Sequence, residues 1–241
     1  MAQGNSDLIY VGYLDGNLLK TTNRGVTWTR IDTNSNELPP FPVTGIAVSP
    51  INNQHVALTY AGFNGKVVFI SLDGGTTWSN RSPSFNLNAL DVVWHPLTPG
   101  WLYIGTSFGV LASEDFGQTW SVEPLFSESE GPVITRVSQV FWQGNDSAST
   151  PYHLVAASYG RGMWRSNTPI YGKLYVDRAY AGVETGSFQQ PFNTLTEAYN
   201  KASDGSTIVF KKDSVHRETP PTLLMKKQLT FEFLSNEVIL K

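Results

Sequence analysis

The segment SLDGGTTW, residues 71–78, decides the fold of this chain. The same spacing of side chains occurs twice more, as TTNRGVTW at residues 21–28 and as SEDFGQTW at residues 113–120. The tryptophans that end these three boxes follow one another at intervals of 50 and 42 residues. An internal repeat of about 40–45 residues is typical of a four-stranded propeller blade. The sequence therefore predicts an all-β protein built from repeated blades.

Each box is predicted to form the turn between the third and fourth strands of a blade. The Asp or Asn side chain at its third position is expected to accept hydrogen bonds from backbone N–H groups two residues on, and the glycine takes a positive φ at little cost. The tryptophan then opens the outer strand and packs between blades. Because Asn23 stands where the other boxes have aspartate, a turn is favoured over a catalytic or metal-ligating carboxylate. The predicted structural residues are Thr21, Asn23, Gly25, Trp28, Ser71, Asp73, Gly75, Trp78, Ser113, Asp115, Gly117 and Trp120.

Alternating apolar residues divide residues 1–169 into about four blades of antiparallel strands. The second and third blades have four predicted strands each, whereas the first lacks its first strand. The fourth breaks off without a box, since its Trp164 lies in the third strand. The predicted fold is a partial β-propeller of about four four-stranded blades joined through these boxes, expected to be a piece of a longer protein.

Residues 170–241 form a second predicted domain with one helix and several strands. The helix has an apolar face of Leu195, Ala198, Tyr199 and Ala202, a capping box of Thr194 and Glu197, and a stop at Gly205. Strands are predicted at TIVF, residues 207–210, and at QLTFEFL, residues 228–234, where Leu229, Phe231 and Phe233 alternate with polar residues.

Composition excludes several classes of function. A net charge of −3 without a basic cluster argues against a nucleic-acid partner. No apolar run approaches the roughly 18 residues of a membrane-spanning helix. Without cysteine there is no disulfide, zinc–thiolate site or thiol nucleophile. The four histidines are dispersed and follow the repeat, so neither a metal site nor a cofactor is predicted.

The loops between second and third strands are the candidate ligand-binding region. They contain Phe63, Phe108, Tyr159 and Arg161, at near-equivalent positions expected to lie close to the ring axis and opposite the boxes. Aromatic rings beside polar side chains suit stacking and hydrogen bonding to sugars. The alternative is that these rings only pack between blades.

Carboxylates on the blade-to-blade loops are the candidates for a hydrolytic site. Glu37, Glu123, Glu128 and Glu130 would provide an acid and a base if two of them stood about 5–10 Å apart, but nothing in the sequence selects a pair. Asp91 is the best single buried acid, with a structural carboxylate as the alternative.

The boxes resemble the Asp-box repeats of sialidases, sortilin-type receptors, xyloglucanase-type glycoside hydrolases and photosystem-assembly propellers. The segments YIGTSFGVLASEDFGQTW (103–120) and YGRGMWRSN (159–167) resemble the xyloglucanase-like group most. This resemblance covers residues 8–168 and implies the fold, whereas the box itself carries no activity. Sialidases also have an arginine triad, a Tyr–Glu pair and an Arg-Ile-Pro signature. Here Arg30 and Ile31 are followed by Asp32, and sialidase activity is not expected.

The stretch from residue 174 to residue 241 resembles the opening of right-handed parallel β-helix proteins of the pectate-lyase type, where such a segment introduces a capping helix and the first coil. The resemblance implies a β-helix-like start.

The favoured function is a non-catalytic binding or adhesion propeller of a large exported bacterial surface protein, at the cell surface or outside it. A glycan or a surface protein is the expected partner. The alternatives are a glycoside hydrolase, or a fragment of another polysaccharide-degrading enzyme, and a receptor or assembly propeller that binds protein. The fold hosts all three, so it does not choose among them.

Overall fold

The computed structural model places strands and turns along most of the chain. It describes residues 2, 4–32, 38–62, 65–84, 86–122, 135–145, 152–166, 173–182, 184, 186, 191–202, 206–211 and 229–234. Two compact units are formed. The first comprises Met1–Pro96, Trp101–Trp142 and Leu154–Thr168, and the second comprises Leu97–Gly100, Gln143–His153 and Pro169–Lys241.

Four small sheets follow one another along the chain, and each keeps sequence order from one edge to the other. The first two sheets are β1 (Ile9–Gly12), β2 (Leu18–Thr21), β3 (Thr29–Arg30), and β4 (Val43–Val48), β5 (Val56–Tyr60), β6 (Val68–Ser71), β7 (Ser79–Asn80). The next two are β8 (Ala89–Trp94), β9 (Leu102–Thr106), β10 (Gly109–Ser113), β11 (Ser121–Val122), and β12 (Val137–Gln143), β13 (His153–Ser158), β14 (Gly162–Arg165).

These sheets are the four predicted blades, and the all-β propeller prediction is confirmed. The first blade has three strands and no counterpart of β4, and the described part of the fourth ends at β14 and Ser166. One detail differs from the prediction. Each fourth strand is only two residues long and begins one residue after its box tryptophan, at Thr29, Ser79 and Ser121. The tryptophan therefore belongs to the turn.

Blades are buried on both faces because strand side chains alternate between two apolar layers. Along β6, Phe69 packs with Leu18 of the first blade and Trp78 of its own box. Val68 and Ile70 point into the next layer, which includes Val92, Trp94 and Phe116 of the third blade. The second blade is thus enclosed by neighbours on either side.

Hydrogen bonds between neighbouring first strands set the relative direction of the blades. Thr44 Oγ1 donates to the carbonyl oxygen of Ala89, and Trp94 Nε1 donates to that of Ala47. Asp91 Oδ2 accepts from Val140 N, and Trp142 Nε1 donates to the carbonyl oxygen of Trp94. The partners rise together in residue number, so β4, β8 and β12 run parallel. Equivalent turns therefore lie at the same end of the blades.

The two ends of the blades carry different turns. We call the end with residues 21–28, 71–78 and 113–120 the box end. The opposite end, with the β1–β2, β5–β6, β9–β10 and β13–β14 connections, is called the turn end. The loop between β4 and β5 also lies at the box end, since Gly74 N donates to the carbonyl oxygen of Gln54 over 2.8 Å.

The second unit contains three parallel strands in register and one helix. They are β15 (Lys173–Val176), α1 (Leu195–Lys201), β16 (Thr207–Phe210) and β17 (Thr230–Phe233). Thr194 caps the helix by accepting from Glu197 N, as the capping box predicts. Leu195, Ala198 and Ala202 pack with the strands. Gly205 and Gln228 lie outside the described residues. The β-helix itself stays a prediction.

In the described part of the chain, α1 is the one helix, and no helix has the length and apolar character needed to cross a membrane.

Candidate functional site

The second box shows how its carboxylate is used. Asp73 Oδ1 accepts from the backbone N–H groups of Thr76 and Thr77, over 3.0 and 2.9 Å, and Oδ2 accepts from Thr77 Oγ1 over 2.6 Å. Ser71 Oγ donates to Asp73 Oδ1 and accepts from Gly75 N. Both carboxylate oxygens are therefore occupied by the turn itself, which leaves this group poorly suited to proton transfer or metal binding.

The other two boxes repeat this arrangement. Asp115 Oδ1 accepts from Ser113 Oγ and Thr119 N, and its Oδ2 accepts from Thr119 Oγ1. In the first box, Asn23 Oδ1 accepts from Thr21 Oγ1 and Thr27 N. Asn23 Nδ2 donates to Thr27 Oγ1. An amide can therefore replace the carboxylate, because the Thr27 hydroxyl accepts from Asn23 Nδ2 whereas the equivalent Thr77 hydroxyl donates to Asp73 Oδ2.

Two consecutive residues of each box adopt the left-handed backbone region. The glycines have φ values of 88°, 92° and 77° at Gly25, Gly75 and Gly117. The residue before each glycine is also left-handed, with φ of 58° at Arg24, 69° at Gly74 and 59° at Phe116. Sequence analysis did not identify this second position, because Arg and Phe rarely adopt a positive φ. The tightly bonded turn imposes it.

The second box is electrostatically coupled to the first blade. Burial works to raise the pKa of Asp73, but hydrogen bonds from Thr77, Ser71 and Thr76 outweigh it and lower that pKa. Tyr10 Oη and Lys20 Nζ both donate to the carbonyl oxygen of Gly74, over 3.0 and 2.7 Å. Burial, and then the Asp73 charge, raise the pKa of Tyr10 to about 12. The phenol therefore stays protonated and remains a donor at physiological pH.

Box tryptophans pack against the preceding blade. Trp78 is only 5% exposed in the layer that contains Leu18 and Ile31. Trp120 Nε1 donates to the carbonyl oxygen of Arg81 over 2.7 Å. Trp28, in the first blade, is 41% exposed. Burial of the box tryptophan thus depends on its neighbour.

The turn end exposes two of the predicted ligand-binding aromatics. Phe108 is 55% exposed and Tyr159 is 79% exposed. The two turns share one design, in which the hydroxyl that ends the second strand donates to the carbonyl oxygen that begins the third. Thr106 Oγ1 bonds to Gly109 over 2.9 Å, and Ser158 Oγ bonds to Gly162 over 2.8 Å. The rings project from backbone that is held by hydrogen bonds.

Strand register refines the equivalence of these residues. Thr106 and Ser158 occupy the same blade position, so Tyr159 corresponds to Ser107 and precedes the equivalent of Phe108 by one residue. Arg161 is exposed in the same turn as Tyr159. Phe63 lies outside the described residues.

Sequence analysis missed two side chains of the first blade's turn. Tyr13 is exposed, and Leu14, which is 82% exposed, corresponds by register to Tyr159. An alignment of GYLDGN, residues 12–17, with the β13–β14 turn would have identified these two side chains, because each of the two segments follows the second strand of its blade.

Of the predicted acids, Asp91 alone lies among the described residues. Glu37, Glu123, Glu128 and Glu130 lie outside the described residues. Asp91 bridges the third and fourth blades through the 2.9 Å bond from Val140 N, and its burial raises its pKa. Among the described residues, no three His, Cys, Asp or Glu side chains form a cluster able to hold a metal ion.

Comparison with known proteins agrees with the repeat and the fold. Residues 69–80 match the family model described as BNR/Asp-box repeat. No curated protein matches the chain. A GH74 enzyme of Niastella koreensis has a TM-score of 0.50 and 18% identity, with 73% of this chain and 31% of that chain covered.

Two further solved structures are similar. They are the GH74 xyloglucanase of Xanthomonas campestris (TM-score 0.49, 18% identity, 68% of this chain and 28% of that chain) and YCF48 from Cyanidioschyzon merolae (TM-score 0.48, 19% identity, 70% and 53%). The chain spans about half or less of the length of these structures. At this level of identity the likeness concerns the fold alone. The box match, the repeated turn geometry and the blade order show that the chain carries Asp-box repeats on a β-propeller fold.

Proposed function

We propose that this chain is a non-catalytic binding module that recognises saccharides through its turn end. One observation carries the proposal: large apolar side chains stand exposed on hydrogen-bonded turns of three blades. They are Tyr13, Leu14, Phe108 and Tyr159. Contiguous exposed apolar patches mark interaction sites, and these four side chains share one end of the blades.

The chemistry of these turns fits a sugar. The face of an aromatic ring packs against the C–H groups of a pyranose, while Arg161 is an exposed donor beside Tyr159 for hydroxyl groups. Because Thr106 and Ser158 hold the two turns, little conformational entropy would be lost when a ligand binds. Rigid presentation of this kind favours recognition.

The carboxylates near the turn end support a binding role over hydrolysis. Asp15, in the β1–β2 turn, accepts from the backbone N and side-chain Nδ2 of Asn17, over 3.1 and 2.6 Å. Asp91 is held by Val140 N between blades. Both described groups are thus used by hydrogen bonds within the protein.

We also propose an extracellular or cell-surface location within a larger bacterial protein. Polymeric glycans are abundant there. The parallel strands of the second unit suit the resemblance to secreted β-helix proteins.

A glycan array followed by titration tests the function. The double variant Phe108→Ala/Tyr159→Ala should bind the best array ligand roughly tenfold more weakly or worse, because each stacking contact contributes on the order of 1 kcal/mol. Leu72→Ala is the matched control, since it removes an exposed apolar side chain from the box end. It should bind like the wild type.

Three results would contradict the proposal. Unchanged affinity in the double variant would move the site away from these turns. Release of sugar from a bound oligosaccharide would favour a glycosidase. Absence of any glycan binding, with capture of a protein ligand that depends on Phe108, would favour a receptor propeller.

A further inference from the structure

A polar cleft lies at the box end, between the first and second blades. Its volume is about 310 Å³, within the range common for small-ligand sites. One wall comes from β2, β3 and the box of the first blade, and the other comes from the second box. Among the lining residues are Lys20, Thr22, Thr29, Arg30 and Gly74.

The cleft offers one ammonium group and several hydroxyls. Lys20 Nζ donates to the carbonyl oxygen of Gly74, and an ammonium has further N–H donors. The hydroxyls of Thr22 and Thr29 form no hydrogen bond with any described residue and can each donate and accept. Arg30 is bound to Asp32 and to Asn17 Oδ1, so its charge is largely compensated. Lys20 is therefore the main cation for a ligand.

The next junction along the chain is built differently. By strand register and box spacing, the counterparts of Lys20 and Thr22 in the second blade are Ile70 and Leu72. Ile70 is buried with Phe116, and its Cδ1 lies 3.0 Å from the ideal Cβ position of Gly117. An apolar side chain thus closes that junction. A polar cleft is consequently not required for two Asp-box blades to pack.

The Lys20 ammonium is incompletely compensated. Burial lowers its pKa, and the nearby Asp73 charge offsets this effect only in part. A ligand anion would replace the lost hydration. Asp73 disfavours a dianion by charge repulsion, whereas one carboxylate would match the single charge of Lys20, whose ammonium also lies 5.6 Å from the centre of the Tyr10 ring.

We propose that this cleft binds one uronic acid unit of an acidic saccharide. The ligand carboxylate contacts Lys20 Nζ, and sugar hydroxyls exchange hydrogen bonds with Thr22 and Thr29. This site is at the opposite end of the blades from Phe108 and Tyr159, and the proposal does not depend on glycan binding at the turn end.

Titration of the whole chain with galacturonate and with galactose, followed by NMR chemical shifts, tests the site. The wild type should bind galacturonate at least tenfold more tightly than galactose. Lys20→Met keeps the length of the side chain and removes its charge, and it should lose this preference. Thr29→Val removes one hydroxyl at constant shape, and it should weaken binding several-fold without abolishing the preference. Leu72→Ala is the control at the equivalent edge of the second blade, and its affinity should not change.

Several outcomes would overturn the proposal. Equal affinity for galacturonate and galactose would show that the ligand carboxylate does not contribute to binding. Inorganic phosphate that binds as tightly as galacturonate would indicate a general anion site. Unchanged affinity of Lys20→Met, with an unchanged unfolding midpoint, would place the ligand elsewhere. If galacturonate causes no chemical-shift change in the wild type, the cleft is not a binding site for it. If Lys20→Met unfolds, Thr29→Val decides, because its surface hydroxyl carries no fold contact.

Discussion

The indole Nε1 of Trp120 donates a 2.7 Å hydrogen bond to the carbonyl oxygen of Arg81, one blade earlier in the chain. This bond joins a box to the outer edge of its neighbour. Gly117, in the same box, approaches Arg81 and Ile70 so closely that an ideal Cβ would lie about 3 Å from them. The third box therefore does two things: it turns its own chain and packs closely against the preceding blade.

The box tryptophans should differ in their contribution to stability. Trp78→Ala removes a side chain that is almost completely buried, and it should lower the free energy of unfolding by about 3–5 kcal/mol. Trp120→Ala should also cost heavily, because it loses the bond to Arg81 as well as packing. Trp28→Ala should cost much less, since this ring is partly in solvent. Chemical denaturation of the three variants checks the order, and equal losses would contradict it.

The carboxylate of the second box should be replaceable by an amide. Asp73→Asn should cost less than about 1 kcal/mol, because Asn23 makes the equivalent bonds in the first box. Asp73→Ala removes every acceptor and should cost more. Thermal unfolding compares the pair. A loss on Asp73→Asn as large as that on Trp78→Ala would mean that the charge, not the turn, matters.

Acid should weaken the second box through Asp73. Its pKa in the folded protein is depressed, so its stabilising contribution is complete above the unfolded value of about 4 and is lost as the pH falls through the folded value. Asp73→Asn should therefore show a shallower loss of stability in acid than the wild type. Urea unfolding between pH 2.5 and 6 measures this difference. Parallel curves for the two proteins would exclude the effect.

Asp91 should behave in the opposite way. Burial raises its folded pKa, so the stability that this residue contributes is present below about pH 4 and is lost as the pH rises through the folded value. Asp91→Asn keeps an acceptor for Val140 N without a buried charge. Relative to the wild type, this variant should gain stability between pH 4 and 7. A constant difference over that range would contradict the prediction.

Gly75 should tolerate a side chain less well than Gly65, although both have positive φ. Gly65→Ala should cost only the left-handed backbone, about 1–2 kcal/mol, because nothing lies within 4 Å of the added carbon. Gly75→Ala places that carbon 2.9 Å from Ile31 Cδ1, and the overlap should add about 1–3 kcal/mol. Denaturant midpoints compare the two variants. Similar losses of stability would mean that Ile31 moves aside without cost when the side chain is added at Gly75.

Much of the fold was predictable from local chemistry. An Asp or Asn, a Gly and a Trp recur with the same spacing in each box, and such turns depend on contacts between residues that are close along the chain. The strand positions could be predicted from the alternation of apolar and polar residues, because this pattern is also local in sequence. The left-handed Arg24 and Phe116 were not predictable, because their own preferences oppose the conformation that the surrounding bonds enforce. The exposed position of Leu14 was not predicted, because a single leucine in a sequence is normally interpreted as a core residue.

The sequence by itself determined the repeat, the strand order and the box turns, because these depend on side chains that are close along the chain. Only the tertiary structure decided how blades meet. The same box tryptophan is buried at Trp78 and exposed at Trp28, and the same strand position is a closed apolar contact at Ile70 and an open polar cleft at Lys20. These differences arise because burial and free hydrogen-bonding groups are set by the neighbouring blade, whose residues are distant in sequence.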